Sequence, residues 1–403
     1  MSGHELIHRH LVEALAPTLS EIFQNSLYAD KAIEKAFKSH RKWGSRDRKF
    51  FAEQIYEIVR WWKKYWFLLD EEESLQPNSL LRLWGVHWLV QGRELPHWPE
   101  FQNIQWPAET EKKMKSQRAV LESIPDWLDE KGESELGSRW DSILHSLNAP
   151  ASVDLRVNRL RAQREQVQKE LLKEGIETQP IATAEDGLEL VQRKNVFSTK
   201  AFHSGHFEVQ DRASQQVAPF LKLAPGLRVI DACAGAGGKS LHMASLMKNK
   251  GKIISMDIHE WKLKELRNRA IRNGVDVIET KIIESSKTMK RMDQSADRVL
   301  LDVPCSGLGV LRRNPDAKWK LKSTDFKTLA ETQALILQNY SGMTKVGGLL
   351  VYATCSFLPS ENELQIESFL KANPAWGLEE QIRIDPDQGR GDGFFAARLI
   401  RKS

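Results

Sequence analysis

Apolar positions change their period near residue 150. Before it they recur every three to four residues, the spacing that gives a helix one apolar face. Ala14, Leu15, Leu19, Ile22 and Phe23 form one such face, interrupted only by Pro17. Asp30 precedes KAIEKAFKSHRKW and Ser45 precedes RDRKFFAEQIYEIVRWWKKYWFLL. Each is an expected N-cap, because a short side-chain oxygen can accept from the orphan N–H groups of a first turn. In the second stretch Phe50, Phe51, Ile55, Ile58, Val59, Trp62 and Leu68 share a face, which predicts a helix over it. Residues 94–110 hold three prolines and read as irregular. Residues 123–150 read as two short helices closing at Asn148-Ala149-Pro150.

Beyond that proline the texture is different. VDLRVNRL alternates as a strand does, Ala162–Glu174 reads as a helix capped by Gly175, and short strands flank the Asp186-Gly187 turn. GHFEVQDRASQQVAPFLKL (205–223) leads by a helix into the last part. There LRVIDACA, KGKIISMDIH, VIETKII, RVLLDVP and GGLLVYATCS alternate with helical segments, one of them spanning 323–345, and GFFAARLIR closes the series. Such alternation predicts an α/β fold with a doubly wound, mostly parallel sheet. The expected domains are 1–150, all helical; 151–220, a small α+β module; and 221–403, the α/β domain.

Composition narrows the class. Apolar content of 41% and charged content of 28% are those of an ordinary globular chain. No run approaches the roughly 20 apolar residues a membrane span requires. Glu5, His8 and Glu13 interrupt the N-terminal stretch, which argues against a leader peptide and for a cytoplasmic protein. The three cysteines lie outside any CxxC or His-rich cluster, so neither a disulfide framework nor a metal site is expected. A monomer without membrane or metal partners is the expectation. A net charge of +5 permits a polyanionic partner. Ten of the thirteen tryptophans fall before residue 141, among Lys31, Lys35, Lys38, Arg41, Lys42, Arg46, Arg48, Lys49, Arg60, Lys63 and Lys64. Interleaved cations and aromatics can neutralise phosphates and stack on bases. Core tryptophans under a solvated charged face would give the same pattern.

Candidate chemistry sits at strand ends. After the first α/β strand comes Asp231-Ala232-Cys233-Ala234-Gly235-Ala236-Gly237-Gly238-Lys239, whose glycines let backbone approach a ligand where a helix begins. Its spacing is not that of a dinucleotide fingerprint. The next strand ends in Asp257, where an acid accepts from ribose hydroxyls, so the pair indicates an adenosine-containing cofactor. Asp302-Val303-Pro304-Cys305 and Thr354-Cys355-Ser356 then place two thiols at further strand ends. A lone buried cysteine is usually a small hydrophobe. Two at strand ends beside a nucleotide pocket point to chemistry, provided nearby positive charge favours the thiolate.

DACAGAGGKS, MDIHEWKL, LLDVPCSGLGVLRRNPDAKW and YATCSFLPSENE, in this order, resemble the motifs of the Sun/Nop family of RNA cytosine-C5 methyltransferases. LRVNRL, VQDRASQ (209–215) and DGFFAARL extend the resemblance from Val153 to the C-terminus. RDRKFFAEQIYEIVRWW and SIPDWL resemble the NusB-like helical domain of the family's ribosomal-RNA members. The resemblance implies a Rossmann-like class I methyltransferase domain behind an RNA-recognition module and a helical RNA-binding domain. It implies S-adenosylmethionine as cofactor, held by Cys233, Ala234, Gly235, Ala236, Gly237, Gly238, Lys239, Asp257 and Asp302. It implies Cys355 as the nucleophile on cytosine carbon-6 and Cys305 in product release. Asp302 also lies where the family contacts the target base, and Lys239 assists electrostatically. Arg312 and Arg313 are expected phosphate contacts, with Arg212 a weaker one; each would otherwise be a solvated arginine.

Two positions depart from the family pattern. Gly235-Ala236 stands where the family has Ala-Pro, and Glu284 stands nearest the aspartate expected after the third strand, where it would bond the adenine amino group. The expected substrate is ribosomal RNA. A transfer-RNA methyltransferase and a noncatalytic RNA-binding ribosome assembly factor are the alternatives. A nicotinamide oxidoreductase is disfavoured by the paired cysteines.

Overall fold

A computed structural model of the chain describes residues 7–389 and 391–403, so Glu5, used above against a leader, lies outside the described residues. The chain forms two compact units: 1–149 with 311–323, and 150–310 with 324–403.

The first unit is helical. Its main helices are Leu15–Phe23, Ala29–Ser39, Ser45–Arg60, Trp62–Leu69 and Pro77–Val90. Pro17 falls in the first turn of its helix, where a missing N–H has no acceptor to lose. The expected N-caps shift by a residue or two. Tyr28 and Gly44 hold those positions, while Asp30 lies in the first turn and Asp47 accepts from the Gly44 N–H at 3.0 Å. The stretch from Ser45 breaks at Trp61, whose φ −106°, ψ 22° leaves the helical region. The break turns Trp62 and Trp66 inward, where both are 3% exposed. Trp43, Trp84, Trp88 and Trp140 are buried as well. Most of the tryptophan cluster is therefore core.

Residues 311–323 belong to this unit although they follow the Pro-Cys motif in the chain. Trp319 packs on the helical core, and its indole N–H donates to the Val59 carbonyl at 2.7 Å. Arg312 is 5% exposed. Its Nε donates to the Ser146 carbonyl at 2.7 Å, and its own carbonyl accepts from Arg60 at 3.0 Å. The phosphate contact expected of Arg312 is corrected on this ground: its guanidinium is spent on the fold.

The second unit holds two sheets. In the smaller, β1 (Asp154–Val157), β2 (Thr178–Pro180), β3 (Gly187–Leu190) and β4 (Phe207–Val209) run antiparallel in the order β2-β3-β1-β4. Alternation sorts its faces. Leu155, Val157, Leu188, Leu190 and Phe207 meet Val167 and Leu171 of the helix Arg164–Lys173 in one core. Asp154, Arg156, Glu189 and Glu208 on the other face are buried too. Asp154 and Glu189 pair with Arg212, whereas Arg156 and Glu208 find partners in the α/β part. Arg156 donates to the Gly238 carbonyl at 2.7 Å, and Glu208 accepts from Arg269 at 2.9 Å and from Arg272. This face is therefore closed to nucleic acid, and the module packs with the α/β part in one compact unit.

The larger sheet comprises β5 (Arg228–Asp231), β6 (Lys252–Asp257), β7 (Ile278–Ile282), β8 (Ala296–Asp302), β9 (Thr344–Thr354), β10 (Trp376–Ile384) and β11 (Phe394–Arg401). Its order is β10-β11-β9-β8-β5-β6-β7, parallel from β9 to β7, with β10 and β11 antiparallel at one edge. Val229–Ile230, Val299–Leu301 and Leu349–Ala353 are buried on both faces, as central parallel strands require. The winding reverses between β5 and β8, the switch point at whose carboxyl edge such folds bind ligands. This is the expected mostly parallel, Rossmann-like α/β fold.

Candidate active site

The glycine turn follows β5 at that edge. Gly235 and Gly237 have φ of +54° and +84°, which glycine adopts without penalty. A Cβ at Gly235 or Gly238 would meet open space, whereas one at Gly237 would collide with Leu266. The turn thus presents bare backbone outward and packs on its helix inward. Two hydrogen bonds hold the turn. Asp257 Oδ2 accepts from the Gly235 N–H at 2.9 Å, and Arg269 donates to the Ala236 carbonyl at 2.7 Å. Behind the turn, Asp231 accepts from Ser240 Oγ at 2.6 Å, while its other oxygen is buried with no partner. Burial pushes the Asp231 carboxyl up to about 7. Burial, with Asp231 second, raises the half-buried Cys233 thiol. A cradle of open backbone, an acid at the end of β6 and an orphaned carboxylate oxygen fit an adenosine-bearing cofactor. Glu284 lies exposed just past β7, one strand further along.

The chemistry gathers beside it, past β8 and β9. Cys305 Sγ and Cys355 Sγ are 3.4 Å apart. The contact to the Cys355 sulfur, reinforced by burial, pushes the Cys305 thiol well above its ordinary range. Lys239 Nζ donates to Asp302 Oδ2 at 2.7 Å and lies 4.9 Å from the centre of the Phe394 ring. Burial opposes the lysine's charge, but Asp302 outweighs it and the ammonium pKa is raised. Lysine and aspartate thus stand as an ion pair.

The turns carrying the two thiols are tied together. Gly309 N–H donates to the Cys355 carbonyl at 2.9 Å, and Gly393 packs so close that a Cβ at Gly309 would strike its carbonyl. Glu361, 1% exposed, accepts from the Ser306 N–H at 2.8 Å and its Oγ at 2.5 Å, and from Ser356 Oγ at 2.6 Å. Gln333 donates to the same carboxylate and to the Pro304 carbonyl, both at 3.0 Å.

Comparison with known proteins shows the family. Residues 218–400 match the model of the 16S rRNA methyltransferase RsmB/F family, and residues 124–197 match the ferredoxin-like domain of Methyltr_RsmF/B-like proteins. A "Probable ribosomal RNA small subunit methyltransferase B" of Synechocystis is 32% identical over 94% of this chain and 97% of its own. The chain belongs to the RsmB/F methyltransferase family. The crystal structure of PH0851 covers 98% of both chains at 26% identity with a TM-score of 0.77. A methyltransferase homologue from Pyrococcus horikoshii covers 71% of this chain and 98% of its own at 26% identity, with a TM-score of 0.63. The enzyme class, the cofactor S-adenosylmethionine and the activity on RNA cytosine carbon-5 expected from the motifs are those of the RsmB/F family.

Of the expected site residues, the fold gathers Cys233–Lys239, Asp257, Asp302, Cys305 and Cys355 along one sheet edge. It sets Arg212 apart: that guanidinium is bound to Asp154 at 2.8 Å and Glu189 at 3.0 Å, which corrects its reading as an RNA contact. Arg313 is half-buried in the helical unit. Sequence reasoning missed Glu361, Arg156 and Arg269. Glu361 lies inside the quoted motif YATCSFLPSENE, but its neighbours Ser360, Asn362 and Glu363 are polar, so no local signal marks it as buried; Glu363 of the same motif pairs with Arg383 at 2.8 Å.

Proposed function

We propose that this enzyme methylates a cytosine of small-subunit ribosomal RNA through a covalent bond from Cys355 to carbon-6, resolved with the help of Cys305. The observation that carries this reading is the 3.4 Å separation of the two sulfurs at neighbouring strand ends, beside the cofactor cradle. When bound, S-adenosylmethionine supplies an electrophilic methyl group. Aromatic carbon-5 is a poor nucleophile, and addition of Cys355 Sγ at carbon-6 makes it enamine-like. That carbon takes the methyl group, a base then removes the carbon-5 proton, and the thiolate leaves as the double bond re-forms, dividing one hard step into easier ones. The Lys239–Asp302 pair lies within the same group of residues, where fixed charges act on developing ones. Asp302 serves both cofactor and target base, Asp257 accepts from the ribose hydroxyls, and Glu284 reaches the adenine amino group. The target base must be unstacked to be attacked.

RNA contact is supported by the helical unit. Lys31, Lys35 and Lys38 pair with Glu34 or Glu21, and Lys49 with Glu53. Among the described residues Arg41, Lys42 and Arg46 are exposed and make no ion pair. They flank the turn where His40 stacks on Trp43, with ring centroids 4.2 Å apart. Arg313 remains a phosphate contact in this reading. The enzyme acts as a monomer in the cytoplasm, where free thiols persist; no described helix is long and apolar enough to cross a membrane.

The test is to incubate the protein with total RNA and labelled S-adenosylmethionine and to map the modified cytosines. Label in small-subunit ribosomal RNA is the expected outcome, and label confined to transfer RNA overturns the substrate. Cys355→Ala abolishes turnover, and Cys305→Ala traps an RNA adduct; normal turnover by Cys305→Ala removes its role in release.

A further inference from the structure

The catalytic reading uses two sulfurs but leaves unexplained what fixes the distance between them. Cys305 and Cys355 stand on separate turns, and nothing covalent joins those turns over fifty residues of chain. Each cysteine is followed by a serine, and both serines turn to one buried carboxylate. Glu361 takes both the N–H and the hydroxyl of Ser306, at 2.8 and 2.5 Å, and the hydroxyl of Ser356 at 2.6 Å. Gln333, from the helix Asp325–Tyr340, is fully buried and joins the same carboxylate to the Pro304 carbonyl, both at 3.0 Å. Tyr352 of β9 donates to the backbone carbonyl of Glu361 at 2.6 Å, and Asn362 donates to the Ser356 carbonyl at 3.0 Å. Among the described residues no Lys, Arg or His is hydrogen-bonded to the carboxylate, so its charge is held by neutral donors. A buried carboxylate is costly to place and tolerates few geometries, and it imposes its own geometry on the groups that satisfy it.

We propose that Glu361 is the positioning residue that sets the two thiols in register, and that this register is needed for product release more than for attack. The proposal rests on the catalytic roles given above to Cys355 and Cys305. Attack requires one sulfur and the cytosine. Release requires Cys305 to work on the adduct already attached to Cys355, so it depends on the relative placement of both turns. Misplacing a catalytic group by about 1 Å can cost about a hundredfold in rate. Loosening the clamp therefore slows release first and lets the Cys355 adduct accumulate.

The test compares Glu361→Ala, Glu361→Gln and Ser306→Ala with wild type and Cys305→Ala, using the full chain, substrate RNA and S-adenosylmethionine. Steady-state turnover is measured together with the fraction of protein that migrates as a covalent RNA adduct under denaturing conditions. Glu361→Ala is expected to lose about a hundredfold in turnover while adduct rises towards the Cys305→Ala level. Glu361→Gln keeps the shape and an acceptor oxygen, and restores part of the turnover. Ser306→Ala removes one hydroxyl beside Cys305 with little risk to folding, and is expected to accumulate adduct to a smaller extent. A carboxylate that merely stabilised the fold would lower turnover and adduct together. That result in Ser306→Ala and the Glu361 variants overturns the proposal. Absence of adduct in Cys305→Ala itself would instead overturn the catalytic reading on which it rests.

Discussion

At the scale of single residues, the glycine turn shows how position decides what a side chain does. Gly235 and Gly237 both have positive φ, yet only Gly237 faces a packed neighbour, with Leu266 Cδ1 occupying the space a Cβ would need. Alanine at either position meets a left-handed backbone that costs about 1–2 kcal/mol. At Gly237 overpacking adds about 1–3 kcal/mol. Gly237→Ala should therefore lower stability in urea clearly more than Gly235→Ala. Gly235→Ala, whose new methyl enters the open cradle, should chiefly weaken S-adenosylmethionine binding, as calorimetry would read it. Equal loss of stability in the two variants would contradict the packing account. The sequence made both glycines candidates, but the difference between them depends on Leu266 from another helix.

At the scale of elements, the helix Gly238–Leu246 and the strand before it carry two buried titratable groups with opposite effects. Burial, then Arg156, lowers the His242 pKa from 6.5 to about 4. The folded state holds this imidazole neutral, so stability is full above 6.5 and falls as acid protonates the unfolded chain down to about 4. Asp231 is raised from 3.8 to about 7, so between those values the unfolded chain ionises first and stability falls as pH rises. Between about 4 and 6.5 the two slopes oppose each other, so a melting-temperature profile of His242→Gln should fall more steeply as pH rises than that of wild type, and one of Asp231→Asn should rise more steeply. An unchanged profile between about 4 and 6.5 in His242→Gln would remove the first assignment. Elements were legible where one period ran unbroken, as in the strands β5, β6, β8 and β9. They were not legible where a tertiary partner intervened. The break at Trp61 serves the burial of Trp62 and Trp66, β4 hid in a segment read as a helix, and β10 is a strand only because β11 pairs with it.

At the scale of the whole molecule, the sorting of arginines and lysines separates fold from partner. Arg312 makes buried hydrogen bonds in the helical unit, whereas Arg41, Lys42 and Arg46 are exposed. Hydrogen bonds from a charged group contribute about 1.5–3 kcal/mol. Arg312→Ala should cost about that much in unfolding free energy and leave the salt dependence of RNA affinity as in wild type. Replacing Arg41, Lys42 and Arg46 together by alanine should do the reverse. Stability should barely move, while the slope of log affinity against log salt should shrink by about 0.7 for each phosphate no longer neutralised. A reduced slope in Arg312→Ala would return that residue to the RNA.

The sequence by itself determined the class of fold, most of the alternating strands and helices in the α/β part, and the candidates for the chemistry. Periodicity is local, and the motifs hold their residues in short runs, so both survive without a structure. Only the tertiary structure decided which distant groups meet. It brought Cys305 within 3.4 Å of Cys355, turned Glu361 inward to both, closed the polar face of the small sheet, and gave residues 311–323 to the helical unit. The physical reason is the same in each case. Buried charges and unpaired donors must find partners, and those partners lie tens to hundreds of residues away, where no local pattern records them.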